Sequence, residues 1–126
     1  MAREIISTNK APAALGPYSQ AVKVDNTVYI SGQIPLVPET MEVLEGKFED
    51  HARLVFNHLK SIAEAAGGSM NDFTKVNIFL TDLTNFPVVN EVMAEFFDEP
   101  YPARAAVQVA ALPKNVVVEA DAVMVL

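Results

Sequence analysis

Val116-Val117-Val118-Glu119-Ala120-Asp121-Ala122-Val123-Met124-Val125-Leu126 reads as a β-strand that is largely apolar on both of its alternating faces. Such a strand belongs in the middle of a sheet, because both faces need cover. Glu119 and Asp121 interrupt it. Two residues apart, they project from the same face. A charge inside an apolar strand costs free energy unless it is paired or meets water or a ligand.

Working upstream, Pro113-Lys114-Asn115 separates this strand from residues 103–112, a run of small and aliphatic residues opened by Arg104. The two read as a closing pair of strands. Before them, Val89, Val92, Met93, Phe96 and Phe97 form the stripe of a helix. Asn85 is its expected N-cap, Pro87 lies in its first turn, and Pro100 and Pro102 end it. Residues 73–81 alternate as a strand. Phe48, Ala52, Val55, Leu59, Ile62 and Ala66 recur at spacings of four and three, which makes a second, longer helix. Asp50, Arg53, Lys60 and Glu64 lie mostly off that stripe, and Gly67-Gly68 supplies its stop. Pro35 and Pro38 leave residues 34–46 irregular. Residues 20–24 and 27–33 read as strands joined by an Asp25-Asn26 turn, residues 4–7 as a short edge strand, and residues 11–17 as a loop. Two helices against one mixed sheet give an α+β fold.

The composition bounds the function. The chain has 126 residues, enough for one domain with a sizeable core, and 51% are hydrophobic against 20% charged. The mean hydropathy of +0.22 exceeds what a small soluble monomer needs. The surplus, with an apolar sheet face left bare by the helices, predicts a subunit interface. A net charge of −7 and a pI near 4.7 argue against binding nucleic acid or an anionic membrane surface. Cysteine is absent, which removes disulfides, thiolate ligands and thiol nucleophiles. His51 and His58 are seven apart, too far along a helix to share one metal ion. Ser19 and Ser31 have no histidine near them in sequence to activate them. No signal-peptide pattern and no apolar run of about 18 residues is present, so the cytoplasm is the expected compartment.

Arg104 and Glu119 are the two charges set in apolar strands. A structural ion pair between them is the plain alternative to a functional site. If residues 113–115 centre a hairpin, residue 119 faces about residue 109, and Arg104 lies roughly 16 Å away at ~3.3 Å per residue. On that assumed register the two would meet across a subunit boundary and not within one chain. Gly16-Pro17-Tyr18-Ser19-Gln20 and Ser31-Gly32-Gln33-Ile34-Pro35 flank the first two strands. Gly32 allows a ligand close to the backbone N–H groups, or simply serves a bulge. Tyr18 on its own reads as a packed aromatic, and Asn90, in the first turn of the second helix, as a solvated polar residue.

Residues 11–21 (Ala-Pro-Ala-Ala-Leu-Gly-Pro-Tyr-Ser-Gln-Ala), residues 31–35, and residues 101–110 (Tyr-Pro-Ala-Arg-Ala-Ala-Val-Gln-Val-Ala), continued by Leu112-Pro113-Lys114 and Glu119, resemble in order the motifs of the reactive-intermediate (imine/enamine) deaminases, the YjgF-like family. The resemblance covers nearly the whole chain. It implies a chorismate-mutase-like α+β fold and a homotrimer with three clefts between subunits. It also implies hydrolysis of 2-imino acids released by pyridoxal-phosphate enzymes such as threonine and serine dehydratases, with no cofactor. By that resemblance Arg104 binds the substrate carboxylate, the backbone N–H of Gly32 adds a hydrogen bond, and Glu119 holds and activates the attacking water. Tyr18 walls the cleft, and Ser31 and Asn90 line it. Ala106 stands where many members have cysteine, leaving a backbone N–H to bind ligand and no thiol to regulate. Ala111 replaces a common arginine, the 100–102 stretch is short, and Ala120 replaces a usual Met or Ile.

Two further functions suit some of these residues. Arg104 and Gly32 alone suffice for a non-catalytic trimer that binds small carboxylates, but such a receptor has no need of Glu119. A ribonuclease or translation inhibitor is disfavoured by the charge of −7.

Overall fold

The computed structural model describes residues 2–126. Eight strands and two helices follow in order: β1 (Arg3–Ile6), β2 (Ala21–Val24), β3 (Thr27–Gln33), β4 (Leu36–Val37), β5 (Glu42–Val43), α1 (Phe48–Ala65), β6 (Phe73–Leu80), α2 (Phe86–Phe96), β7 (Ala103–Gln108) and β8 (Val118–Val125). Six strands make one mixed sheet in the order β1-β2-β3-β8-β6-β7. Strand β8, largely apolar on both faces, is central and antiparallel to both β3 and β6.

The core lies between one sheet face and the helices. Val118, Ala120, Ala122 and Met124 of β8 are buried in it, with Val76, Ile78 and Leu80 of β6. The expected stripe of α1 faces them: Ala52, Val55, Leu59 and Ile62 are buried, widened by Phe56, His58 and Ala63, while Phe48 packs at its rim. Phe56 touches the rings of Phe96 and Phe97, which ties α1 to α2. Outside the core, the Arg53 guanidinium holds the Glu95 carboxylate through N–H···O contacts of 2.9 and 3.0 Å.

The glycine stop of α1 is a Schellman turn. Gly67 takes φ +92°, its N–H donates to the Glu64 carbonyl, and the Gly68 N–H donates to the Ala63 carbonyl. Asp25, at φ +53°, makes the β2–β3 turn as its residue type allows.

Several expectations are corrected. The closing strands do not form a hairpin. β7 runs parallel to β6 at the sheet edge, and β6 lies between β7 and β8. The chain passes from β7 to β8 over one strand position, so the residues at 113–115 turn without setting a register. Strand geometry also stops at Gln108, short of residue 112. Asn85 makes no side-chain cap. The cap moves one turn earlier, to Asp82, whose carboxylate accepts from the Thr84 N–H at 2.9 Å. Residues 34–46 are not wholly irregular, because Leu36–Val37 pairs with Glu42–Val43 in a short ribbon turned at Met41 (φ +60°). No helix among the described residues is long and apolar enough to cross a membrane.

The second sheet face carries no helix. Paired rows across it run Ile5, Val22, Tyr29, Val123, Lys75 and, further along, Glu119, Phe79, Val107. Ile5, Tyr29, Val107 and Val125 are exposed. The edge strand β7 is exposed, and one side of its backbone is unpaired among the described residues, the kind of row that can pair with another chain.

Candidate active site

Glu119 follows a buried valine and precedes a buried alanine, so strand alternation turns it to the face away from the helices. There it lines a cleft of about 530 Å³ with Tyr18, Ser31, Gly32, Ile34, Leu36 and Lys114. The register of β3 shifts between Ile30 and Gln33, and this irregularity brings Gly32 against the Glu119 side chain. Among the described residues Glu119 has no hydrogen-bond or ion-pair partner. Burial raises its pKa above the ordinary carboxylate value, and the nearby Asp121 charge raises it further. Asp121 shares the face and accepts a 2.8 Å hydrogen bond from the Asn77 amide.

The loops around Glu119 are fixed from below. The buried Gln20 amide donates to the Thr8 and Pro12 carbonyls, at 3.0 and 2.7 Å, and its oxygen accepts from the Thr8 N–H. The Ser31 hydroxyl donates to the Ser19 carbonyl at 2.6 Å, so its own proton is used in holding the loop that carries Tyr18. Tyr18 is half exposed at the cleft wall. The ribbon that contributes Leu36 and Met41 is pinned by a 2.8 Å contact between the Leu36 carbonyl and the buried His58 Nε2. Burial lowers the His58 pKa, against the opposing effects of that hydrogen bond and of the Glu39 charge.

Arg104 sits elsewhere. It pairs in register with the buried Val76, whereas Glu119 pairs with Phe79, three residues further along β6. An odd separation places the two charges on opposite sheet faces. The Arg104 side chain lies on the helix side, where it donates to the Asn90 amide oxygen and contacts the Met93 sulfur at 3.6 Å. Its guanidinium carbon lies 4.7 Å from the centroid of the Phe86 ring. Asn90, Met93, Ala94, Phe97, Tyr101 and Pro102 complete a second cleft of about 400 Å³ around it. Ala106 follows on the same strand face, packed against the core. Among the described residues Arg104 has no carboxylate partner.

One chain therefore gathers Tyr18, Ser31, Gly32 and Glu119 in one cleft and Arg104 with Asn90 in another. The expected separation of Arg104 from Glu119 is present, but its cause is the face on which each lies and not the hairpin register. Phe86 and Lys114 were missed as site residues. Phe86 precedes Asn90 by four on α2, a spacing that puts both on one helix face. Among the described residues no group of three or more His, Cys, Asp or Glu side chains is placed to hold a metal.

Comparison with known proteins identifies the family. A family model described as Endoribonuclease L-PSP matches residues 8–126. A 2-iminobutanoate/2-iminopropanoate deaminase of Dermatophagoides farinae is 49% identical over 124 residues, covering 98% of this chain and 97% of that protein. The mouse (Mus musculus) protein of the same name is 46% identical, covering 98% and 91%. Among solved structures, RidA of an Antarctic Psychrobacter superposes with a TM-score of 0.94 at 60% identity, covering 98% of this chain and 99% of that one. Escherichia coli TdcF with bound serine does so with a TM-score of 0.92 at 46% identity, covering 98% of each. Sequence motifs, sheet topology and these relatives agree: the chain belongs to the Endoribonuclease L-PSP family, the YjgF-like family of reactive-intermediate deaminases.

Proposed function

We propose that residues 1–126 form a single domain that assembles as a homotrimer and hydrolyses small 2-imino acids, with their enamine tautomers, to 2-oxo acids and ammonia. The relatives named 2-iminobutanoate/2-iminopropanoate deaminase support the reaction class. The serine bound by TdcF supports a ligand of amino-acid size. The observation that carries the reading is the division of labour between two clefts. An unpaired carboxylate with a raised pKa lies on one side of the sheet, and an unpaired guanidinium lies on the other. The bare apolar face and the exposed β7 edge supply surfaces through which a second subunit brings them together.

In this reading Arg104 of one subunit binds the substrate carboxylate as a planar fork, a geometry that lysine lacks. Asn90 and Phe86 orient that guanidinium. Glu119 of the adjoining subunit, with the Gly32 backbone beside it, holds a water against the imine carbon. The water oxygen bonds to the carbon of the protonated imine while Glu119 takes a water proton, which gives a neutral carbinolamine. Glu119 returns that proton to nitrogen, and as the carbon–nitrogen bond breaks it takes the hydroxyl proton, so that ammonia leaves from a 2-oxo acid. The imine carbon is already electrophilic, so this step draws on no protein nucleophile and no cofactor. A carboxylate with a raised pKa is a stronger base than an ordinary glutamate, which suits it to taking the water proton. Tyr18, Ser31 and the Ala106 backbone wall the site. The imines are those that pyridoxal-phosphate dehydratases release, and the cytoplasm is the compartment we assign.

The test generates 2-iminobutanoate enzymatically and follows 2-oxobutanoate formation above the spontaneous rate. Acceleration by the wild-type protein that is lost in Arg104→Ala, with the same oligomeric mass, upholds the reading and its site. An assembled protein that binds 2-oxobutanoate without accelerating hydrolysis replaces it with the carboxylate-binding reading.

A further inference from the structure

The Glu119 cleft poses an electrostatic problem. The chain carries a net charge of −7, and the substrate class proposed above is anionic. Glu119 is unpaired, with Asp121 on the same face. Within one chain a small carboxylate approaching this cleft meets like charge and no arginine, because Arg104 of the same chain lies on the opposite face.

Among the described residues lining that cleft, Lys114 is the one base and Glu119 the one acid. Lys114 has no hydrogen-bond or ion-pair partner among the described residues. Its backbone is a second, separate observation. Lys114 and Asn115 take φ +55° and +57°, consecutive residues in the left-handed region. Asparagine adopts that region more readily than lysine, so glycine or asparagine is the residue favoured at 114 on backbone grounds alone. The turn is closed by the Asn115 N–H donating to the Leu112 carbonyl at 3.1 Å and the Val116 N–H to the Pro113 carbonyl at 3.2 Å. A lysine held at positive φ in a fixed turn, at the lining of a cleft, is a candidate for function.

We propose that Lys114 is the electrostatic gateway of the Glu119 cleft, an ammonium that draws the carboxylate of the incoming imino acid past the Glu119 and Asp121 charges. The choice of substrate rests on the deaminase reading; the attraction of a small carboxylate does not. Lys114 is a steering residue, distinct from the fork that grips the substrate. Its effect therefore falls on capture more than on turnover, and salt screens it.

The experiment compares wild type with Lys114→Met, Lys114→Arg, Lys114→Glu and Lys114→Gly, using 2-iminobutanoate at about 20 mM and about 500 mM salt. In Lys114→Met, kcat/KM is expected to fall about three- to tenfold at low salt, with kcat within about twofold, and the deficit to vanish at high salt. Lys114→Arg restores capture and Lys114→Glu loses more. Lys114→Gly relieves the backbone and folds at least as well as wild type, yet shows the same loss as Lys114→Met. A loss independent of salt, a loss shared by Lys114→Arg, or no loss in Lys114→Gly overturns the proposal. The same variants are titrated with 2-oxobutanoate. Salt-dependent weakening there, in a wild-type protein with no turnover, upholds Lys114 while the deaminase reading falls. Binding that ignores both Lys114 and salt, or is undetectable in wild type, overturns it.

Discussion

The carboxyl group of Glu119 occupies the space that a β-carbon at Gly32 would fill, with the carboxyl carbon 3.0 Å from that point. The three nearest atoms to a β-carbon there all belong to Glu119. Gly32→Ala therefore leaves the sheet intact and moves one side chain. The expected result is a fall in kcat/KM of about tenfold or more with a stability change within about 1 kcal/mol. Denaturation of Gly32→Ala, Glu119→Ala and the double variant checks the cause, because the stability cost of the alanine disappears once the carboxylate is gone.

On the proposed function Glu119 takes a proton only when ionised, so kcat/KM is expected to fall as pH drops through its raised pKa. The loss begins at higher pH than an ordinary glutamate would give. Asp121→Asn removes the like charge and shifts this acid limb to lower pH; a shift the other way removes Asp121 from the account. Linkage fixes the matching stability. The folded chain binds this proton more tightly than the unfolded chain, so the stability associated with Glu119 is fully present below its unfolded pKa and is lost as pH rises through its folded pKa. Glu119→Gln is expected to keep ligand affinity, lower kcat by about 100-fold or more, and raise the thermal midpoint at pH 7.

Phe86 holds the Arg104 guanidinium by its face. Phe86→Leu keeps apolar volume and removes the ring quadrupole, a difference of about 0.5–1 kcal/mol at such a site. KM for 2-iminobutanoate is expected to rise about two- to fivefold with kcat little changed, and Phe86→Tyr to restore it. Arg104→Lys, which loses the fork itself, costs roughly 100-fold in kcat/KM. Equal losses of kcat and kcat/KM in Phe86→Leu point to a packing defect instead.

Gly67→Ala tests the helix stop without touching either cleft. Nothing lies within 4 Å of a β-carbon there, so the cost is that of placing alanine at φ +92°. The expected loss is about 1–2 kcal/mol by denaturant titration, with kcat/KM unchanged. Gly67→Asn loses less.

Much of this architecture was legible in the residues. Period and punctuation located α1, because its stripe and Gly67-Gly68 are local signals. The two-sided apolar pattern placed β8 inside the sheet. What failed was pairing. Residues 113–115 look like a hairpin turn, and nothing local reveals that β6, some forty residues upstream, intervenes. The 36–43 ribbon was lost because two-residue strands carry no period. At the site, a charge in an apolar strand marked Arg104 and Glu119, but their faces depend on register. Phe86 and Lys114 escaped because an aromatic on a helix and a lysine in a turn are ordinary until a structure shows what each faces.

The placement of Arg104 and Glu119 on opposite faces has a genetic consequence. Neither group can serve the other within its own polypeptide. An Arg104→Ala chain keeps a sound Glu119 cleft, and a Glu119→Gln chain keeps a sound arginine. Denatured together in equal amounts and refolded, two inert preparations are expected to recover activity, approaching about a quarter of the wild-type value if trimers form at random. On the proposed function, a heterozygote bearing both alleles is then expected to be better off than either homozygote.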